Sequence, residues 1–158
     1  MYIITKEEFE LNVDSKYFGF DEVKCKNCCN MFWLTEKSKA FLKILNHFRK
    51  SVVKKPVRLT NLYRCPSKNQ KIGGSKDSAH LEAIAVDMFC DDLSVDELYR
   101  KALKSSLFSG LGVYEEGFIH ADIKNRNIFW CSTKKHGVEY FKTGEEALKR
   151  FLSEREGK

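Results

Sequence analysis

Residues 78–89, SAHLEAIAVDMF, place His80 near the start of a largely apolar run and Asp87 near its end. Alternation along the run predicts a strand with large apolar side chains on one face and Ala83, Ala85 and Asp87 on the other. The two alanines leave room for a bulky group beside the carboxylate. Because seven residues is an odd spacing, His80 must reach the same face from the preceding loop.

A second polar pair lies in FIHADI, residues 118–123. His120 and Asp122 are two apart, so both point to one face of a strand whose other face is apolar. Unpaired polar groups over a core are costly. His80, Asp87 and His120 would supply two imidazoles and a carboxylate, the pattern of a catalytic zinc that keeps a position open. The alternative is two histidines that are hydrogen-bonded near a sheet end.

The other two histidines, His47 and His136, lie in sequence contexts that do not indicate a metal site. His47 lies beside the apolar stripe of a predicted helix over residues 35–53, where it would be a core-edge or surface residue. His136 lies in TKKHGVEY, which is typical of a solvated basic turn. Neither residue has a partner at an informative spacing.

The flanking sequence predicts helices around a strand-rich middle. VRLTNLY (57–63) is typical of a strand, and residues 64–78 form a long polar loop. A capping box of Ser94 and Glu97 opens one helix, and a similar pair, Thr143 with Glu146, opens the last. LGVYEE, FIHADI and NIFWC are typical of a meander, with a turn at Gly117. The prediction is an α+β fold with a small, mainly antiparallel sheet flanked by helices.

Length and composition suit one soluble domain over residues 1–158. No apolar run approaches the roughly 18 residues that cross a bilayer. MYIITKEEFELNVD lacks the basic start of a signal peptide, so we expect cytoplasmic synthesis and reduced cysteines. The net charge of +6 favours anionic partners such as a bacterial wall or nucleic acid; a lysine-rich solvated surface is the alternative. No nucleic-acid motif is present, and no membrane partner is expected.

Two longer blocks resemble one family. YRCPSKNQKIGGSKDSAHLEAIAVDMF (63–89) is similar to the signature of the zinc D-alanyl-D-alanine peptidases, in which a Tyr-Arg turn and a Gly-Gly loop lead to Ser-x-His and an Asp. GLGVYEEGFIHADIKNRNIFW (110–130) resembles that family's second block. FDEVKCKNCCN (20–30) resembles the Phe/Cys-rich segment that precedes them in phage and bacterial members. The resemblance covers about residues 18–131.

The resemblance implies a zinc site and its surroundings. His80, Asp87 and His120 match the zinc ligands, and Arg64 matches the arginine that binds and orients substrate. Ser78 matches the motif serine that supports the loop carrying the first histidine. The implied fold is the small α+β fold shared with the hedgehog N-terminal domain.

Three positions depart from the family pattern without removing a ligand. Ala83 stands where the motif usually has Gly, Asn61 where it has Ser, and Lys124 where Gly or another basic residue is frequent. Tyr114 is either a core residue or part of the substrate groove.

The sequence does not assign the general base to one residue. Relatives often place an acid or histidine two or three residues before the last ligand, where this chain has Phe118 and Gly117. Glu115 and Glu116 are candidates if the turn folds one back over the metal, and Asp122 is a candidate that would otherwise only orient His120.

The function implied is a zinc metallopeptidase of peptidoglycan stem peptides, either a D,D-carboxypeptidase or an endopeptidase. It would be a monomeric bacterial wall hydrolase, phage endolysin or virion-associated enzyme. One alternative is a non-catalytic, zinc-stabilised binding or virion structural domain of the same fold. Another is a nucleic-acid binder that uses its cysteines and positive charge.

The six cysteines fall into a cluster and three separate residues. Cys25, Cys28 and Cys29 form C-x-x-C-C, which supplies three local ligands where a structural zinc needs four. We therefore expect buried or loop thiols, with a metal site or disulfide as the alternative. The remaining cysteines lie in predicted core segments (Cys65, Cys90 and Cys131).

Overall fold

The computed structural model describes residues 2–13 and 16–156. The helices are α1 (Lys6–Asn12), α2 (Phe20–Val23), α3 (Glu36–His47), α4 (Pro66–Lys71), α5 (Val95–Ser105) and α6 (Gly144–Glu156). The strands are β1 (Tyr2–Ile4), β2 (Phe32–Leu34), β3 (Arg58–Asn61), β4 (Ala85–Phe89), β5 (Gly110–Tyr114), β6 (Ile119–Asp122), β7 (Ile128–Thr133) and β8 (Gly137–Phe141). A π-helical segment (Phe48–Val53) follows α3, and a 3₁₀ turn (Ala79–Glu82) precedes β4.

The larger sheet in the described part of the chain has the strand order β3-β4-β6-β5-β7-β8. The α+β class is confirmed, but the sheet is mixed rather than mainly antiparallel, because β5 and β7 run parallel. The meander prediction is wrong for a simple reason. β4 already occupies the outer edge of β6, so β7 must cross to the free edge of β5.

The strand register builds one polar row across this sheet. Asn61 is opposite Asp87, Asp87 is opposite His120, His120 is opposite Gly112, and Gly112 is opposite Trp130. Residues paired across neighbouring strands project from the same face. The row therefore brings together residues that lie far apart in the sequence, and it forms the floor of the site described below.

The opposite face of the sheet is the hydrophobic core. Val86 and Met88 of β4 and Ile119 and Ala121 of β6 are fully buried there. Helix α5 packs against β5 and β6, and α6 packs against β5, β7 and β8. Apolar burial on this face, worth about 25 cal/mol per Å², fixes which side chains of each strand are left for the polar row.

Both predicted capping boxes are present. The Ser94 amide donates to Glu97 Oε2 at 2.8 Å, while Ser94 Oγ accepts from the Glu97 amide at 3.4 Å. Thr143 and Glu146 exchange the same two bonds at the start of α6. None of the described helices is long and apolar enough to cross a bilayer.

The structure differs from the prediction in the segment leading to the site. The predicted polar loop over residues 64–78 contains α4, whose first residue is Pro66 and whose N-cap is Cys65. Proline is favoured at that position because its missing N–H would have no helical partner. The strand begins at Ala85, so Ala83 does not share its face and instead ends the 3₁₀ turn with a φ of 54°.

We expect Ala83→Gly to raise the free energy of unfolding by about 0.5 kcal/mol, because a left-handed conformation strains alanine and not glycine. Urea denaturation of the metal-free protein measures the change. Ala85→Gly is the matched control: the same substitution in extended, buried strand should lower stability by about 1 kcal/mol. Destabilisation by both substitutions would show that the backbone at Ala83 carries no strain.

Candidate metal centre

His80, Asp87 and His120 meet at the polar row. His80 Nε2 lies 3.2 Å from His120 Nδ1 and 3.3 Å from Asp87 Oδ1, and His120 Nδ1 lies 2.9 Å from the same carboxylate oxygen. Tetrahedral zinc with bonds of about 2.0–2.1 Å would separate its ligand atoms by about 3.3 Å. The three atoms are therefore spaced as ligands of one small cation would be.

The outer atoms of these side chains have partners of their own. His80 Nδ1 donates to the Leu62 carbonyl at 2.7 Å, and His120 Nε2 lies 3.1 Å from Asp122 Oδ2. These bonds assign the proton of each ring to its outer nitrogen, as in the histidines of zinc sites. When both rings are neutral, the lone pairs of their inner nitrogens face Asp87 Oδ1 and repel its own. A cation among the three atoms, either a proton on His120 or a metal ion, removes the repulsion.

Asn61 completes the support of the carboxylate. Its side-chain amide donates to Asp87 Oδ2 at 3.2 Å, which leaves Oδ1 as the atom that faces the histidines. Sequence reasoning noted Asn61 only as a departure from the family's serine. Its place opposite Asp87 on the neighbouring strand gives it this role.

The electrostatics of the cluster suit a cation. Burial lowers the pKa of His80, which favours its neutral, ligating form. Burial opposes ionisation of Asp87, but His80 and His120 hold the pKa of its carboxyl well below the usual range. Burial likewise opposes protonation of His120, yet its bonds to Asp122 and Asp87 raise its pKa to about 9. The metal-free cluster holds a proton on His120 where a metal ion can replace it.

A cavity of about 560 Å³ opens beside the cluster. One wall is aromatic: the Trp130 ring lies 5.0 Å from His120, and its Nε1 donates to the Tyr114 hydroxyl at 3.0 Å. Tyr114 in turn stacks on Phe118 at 4.4 Å. Tyr114 lines the cavity.

Gly112 makes room for this wall. A Cβ on Gly112 would lie 2.2 Å from the Trp130 ring. We expect Gly112→Ala to displace the indole, to break its bond with Tyr114 and to cost about 1–3 kcal/mol of stability. Tryptophan fluorescence and urea denaturation report the two effects. Gly19→Ala is the control, since a Cβ there meets nothing within 4 Å and should leave the fluorescence unchanged. An unchanged spectrum in Gly112→Ala would contradict the packing described.

Arg64 also lines the cavity. Its Nη2 is 3.7 Å from Asp87 Oδ2, and its Nη1 donates to Asn69 Oδ1 at 3.2 Å. Asn69 is buried and donates to the Gly74 and Ser75 carbonyls. A Cβ on Gly74 would lie 2.3 Å from Asn69 Oδ1, so the second glycine of the Gly-Gly loop permits this contact. Sequence reasoning did not identify Asn69, because nothing in a polar loop distinguishes a buried asparagine.

Ser78 also lines the cavity. Its carbonyl accepts from the Leu81 amide at 3.1 Å, and its own amide donates to the Ser75 carbonyl. Ser78 thus starts the 3₁₀ turn that carries His80 to the cluster from the loop end, as the odd spacing required.

The three acids that are candidates for the general base differ in burial and in hydrogen-bond partners. Asp122 is fully buried and accepts from the Lys124 amide at 2.8 Å and from Arg126 at 3.2 Å, in addition to its contact with His120. Burial opposes its ionisation, but His120 holds its pKa at about 2. Glu115 accepts from the Lys134 amide at 2.7 Å, and Glu116 is exposed. Neither glutamate lines the cavity, whose carboxylates among the described residues are Asp77 and Asp87.

We expect Asp122→Asn to weaken zinc affinity by about 10- to 100-fold, because Asp122 fixes the ring of His120. Competition with a chromophoric chelator measures this affinity. Glu115→Gln and Glu116→Gln are the comparison, and both should keep wild-type zinc affinity and hydrolysis. A loss of hydrolysis with normal zinc affinity in either glutamine variant would identify that glutamate as a catalytic group.

The fold and this donor set define a class: an α+β protein with a buried two-histidine, one-carboxylate cluster at a cavity wall, as in zinc hydrolases. The sequence model described as peptidase M15 matches residues 4–122. The chain belongs to the peptidase M15 family, whose members are zinc-dependent peptidases. A comparison with curated proteins gives no match.

Proposed function

We propose that this peptidase hydrolyses peptide bonds in peptidoglycan stem peptides, as a D,D-carboxypeptidase or endopeptidase. The observation that carries the proposal is the convergence of His80 Nε2, Asp87 Oδ1 and His120 Nδ1 at the wall of a cavity that also presents Arg64. A peptidase needs an electrophilic centre and a group that orients the chain beside it, and these residues would supply both.

In this proposal His80, Asp87 and His120 hold the zinc. When bound, the ion supplies Lewis-acid chemistry, because it polarises the scissile carbonyl and makes water acidic enough to attack near neutral pH. The Leu62 carbonyl and Asp122 keep the two rings in the required tautomers. Asp122 is then a positioning residue, since its carboxylate lies behind His120 and is already bonded to Lys124 and Arg126.

The substrate chemistry follows from the charges around the cavity. Arg64 and Arg126 both line it, and guanidinium groups bind carboxylates and peptide carbonyls through paired N–H donors. The exposed ring of Tyr140 extends the aromatic wall beyond Trp130. A cleft with two guanidinium groups and an apolar side suits a short peptide that ends in a carboxylate, as stem peptides do. The net charge of +6 would favour contact with an anionic wall.

The proposed place of action is the bacterial cell wall, reached by an enzyme released from phage-infected cells or carried on a virion. A monomer suffices for this role, because every residue of the proposed centre comes from one chain.

A second candidate function is a zinc-stabilised binding domain without catalysis. The observation that favours it is the position of Glu115 and Glu116 outside the cavity. A protein that bound stem peptides without cleaving them would keep the metal cluster and the arginines and would not need a general base.

Incubation of the zinc-loaded protein with purified peptidoglycan separates the two candidates. The enzyme would release products that mass spectrometry identifies: free D-alanine from a carboxypeptidase, or new amino termini from an endopeptidase. Co-sedimentation with peptidoglycan measures binding in the same samples. Co-sedimentation without any product, by protein that contains zinc, would favour the binding domain and reject the peptidoglycan hydrolase.

A further inference from the structure

Four cysteines from two separate segments meet beside α4, and none of them lines the cavity described above. The Sγ atoms of Cys25, Cys29 and Cys65 all lie within 4.8 Å of one another. Cys28 Sγ lies 3.3 Å from Cys65 Sγ. All four are free thiols, and we refer to them as the thiol cluster.

We propose that the thiol cluster is a second, structural zinc site. Zinc bound by four thiolates at about 2.3 Å separates its sulfurs by about 3.8 Å. Cys28 Sγ lies 3.3 Å from Cys65 Sγ, and Cys25, Cys29 and Cys65 lie within 4.8 Å of one another, so Cys65 is the sulfur on which the other three converge. Four sulfur ligands leave no position open to water, which is the pattern of structural sites.

The backbone of residues 25–30 is shaped to bring its thiols together. Asn27 and Asn30 adopt left-handed conformations, with φ of 56° and 52°, which asparagine tolerates better than most residues. The Asn30 amide donates to the Cys25 carbonyl at 3.1 Å. This tight loop returns Cys29 to Cys25 and leaves Cys28 on the exposed side, where it meets Cys65.

Backbone N–H groups already point at two of the sulfurs. The Cys65 amide donates to Cys25 Sγ at 3.3 Å, and the Lys68 amide donates to Cys65 Sγ at 3.4 Å. Such outer contacts orient and stabilise metal ligands. They come from α4 and from Cys65, the N-cap before it, so the helix that sequence reasoning missed directs an amide at the fourth thiol.

Two other roles for these cysteines, separate core thiols and a single disulfide, explain less of this geometry. Core thiols would be separate and buried, as Cys90 and Cys131 are, whereas Cys28 is exposed. A single disulfide between Cys28 and Cys65 would use two thiols and leave the convergence of Cys25 and Cys29 on Cys65 without a purpose. A zinc ion uses all four.

The site would fasten the segment that carries Arg64. The Tyr63 amide donates to the Val23 carbonyl at 3.0 Å, the Arg64 amide to the His80 carbonyl at 3.1 Å, and Cys65 would join the metal. The backbone on both sides of Arg64 is then tied to loop 25–30 and to the turn of His80. The proposal that the thiol cluster binds zinc does not depend on the proposed function. The importance of that zinc for Arg64 does rest on the proposed function, in which Arg64 binds substrate.

Metal analysis of the reduced, folded protein tests the proposal. We expect two zinc ions per chain in the wild type, and one in both the His80→Ala/His120→Ala and the Cys25→Ser/Cys29→Ser variants. Cys90→Ala, a buried thiol outside the cluster, should keep two. X-ray absorption of the His80→Ala/His120→Ala protein should show sulfur neighbours alone, at about 2.3 Å. Because that variant retains all four cysteines, this measurement does not depend on the folding of the cysteine variant.

Three results would overturn the proposal. The first is one zinc in the wild type with none in the His80→Ala/His120→Ala protein. The second is nitrogen or oxygen neighbours only around the zinc of that variant. The third is a mass, measured before any reductant is added, that is lower by two hydrogens than the mass of the all-thiol chain, which would identify a disulfide instead. Absence of peptidoglycan hydrolysis would reject the proposed function and leave a two-zinc result unaffected.

Discussion

His120→Ala is expected to lower kcat/KM for peptide hydrolysis by on the order of 10⁴-fold or more. The substitution removes one of three proposed zinc ligands and leaves Asp87 and Asp122 without the ring that bonds to both. Activity on muropeptides and zinc content, measured on the same preparation, report the effect. Circular dichroism verifies that the variant is folded.

His47→Ala is the matched control. His47 is exposed at the end of α3 and lies outside the cavity, so the same change in side chain should leave zinc content and hydrolysis at wild-type levels. Hydrolysis by His120→Ala at a rate near wild type would place the reaction at another site.

Arg64→Lys is expected to lower kcat/KM by on the order of 10²-fold, mainly through KM, while zinc content stays at the wild-type value. Lysine keeps the charge but loses the planar fork that could hold a carboxylate or carbonyl with two N–H groups. It also loses the bond to Asn69 that directs the side chain into the cavity. Steady-state kinetics on a defined stem peptide separates KM from kcat.

Arg58→Lys serves as the control for this change. Arg58 is exposed on β3 and pairs with Asp91 away from the cavity, so its kinetics should match the wild type. Equal kcat/KM values for Arg64→Lys and wild type would remove Arg64 from substrate binding.

The convergence of the three proposed zinc ligands could be predicted from the sequence, because it follows from the local spacing of residues along the strands. The two-residue alternation in β4 and β6 puts Asp87 and His120 on the sheet face opposite the core, and the odd spacing assigns His80 to the preceding turn. Strand alternation and odd or even spacing depend only on residues close together in the sequence, so they can be applied without knowing the fold. Spacing alone left two hydrogen-bonded histidines as the alternative, and the family resemblance favoured the metal site.

The rest of the site depends on contacts between distant segments. The parallel pairing of β5 with β7 places Trp130 beside Gly112 and so builds the aromatic wall, and no short-range pattern predicts which edge a strand will join. The thiol cluster has the same origin: C-x-x-C-C offers three ligands locally, and the fourth, Cys65, comes from 36 residues further along the chain than Cys29.

Anomalous diffraction at the zinc absorption edge, from crystals of the zinc-loaded protein, tests the central claim most directly. The account predicts a strong peak about 2.0–2.2 Å from His80 Nε2, Asp87 Oδ1 and His120 Nδ1. No peak among these three atoms, in crystals whose dissolved protein still hydrolyses peptides, would contradict the assignment of the zinc peptidase centre to this cluster.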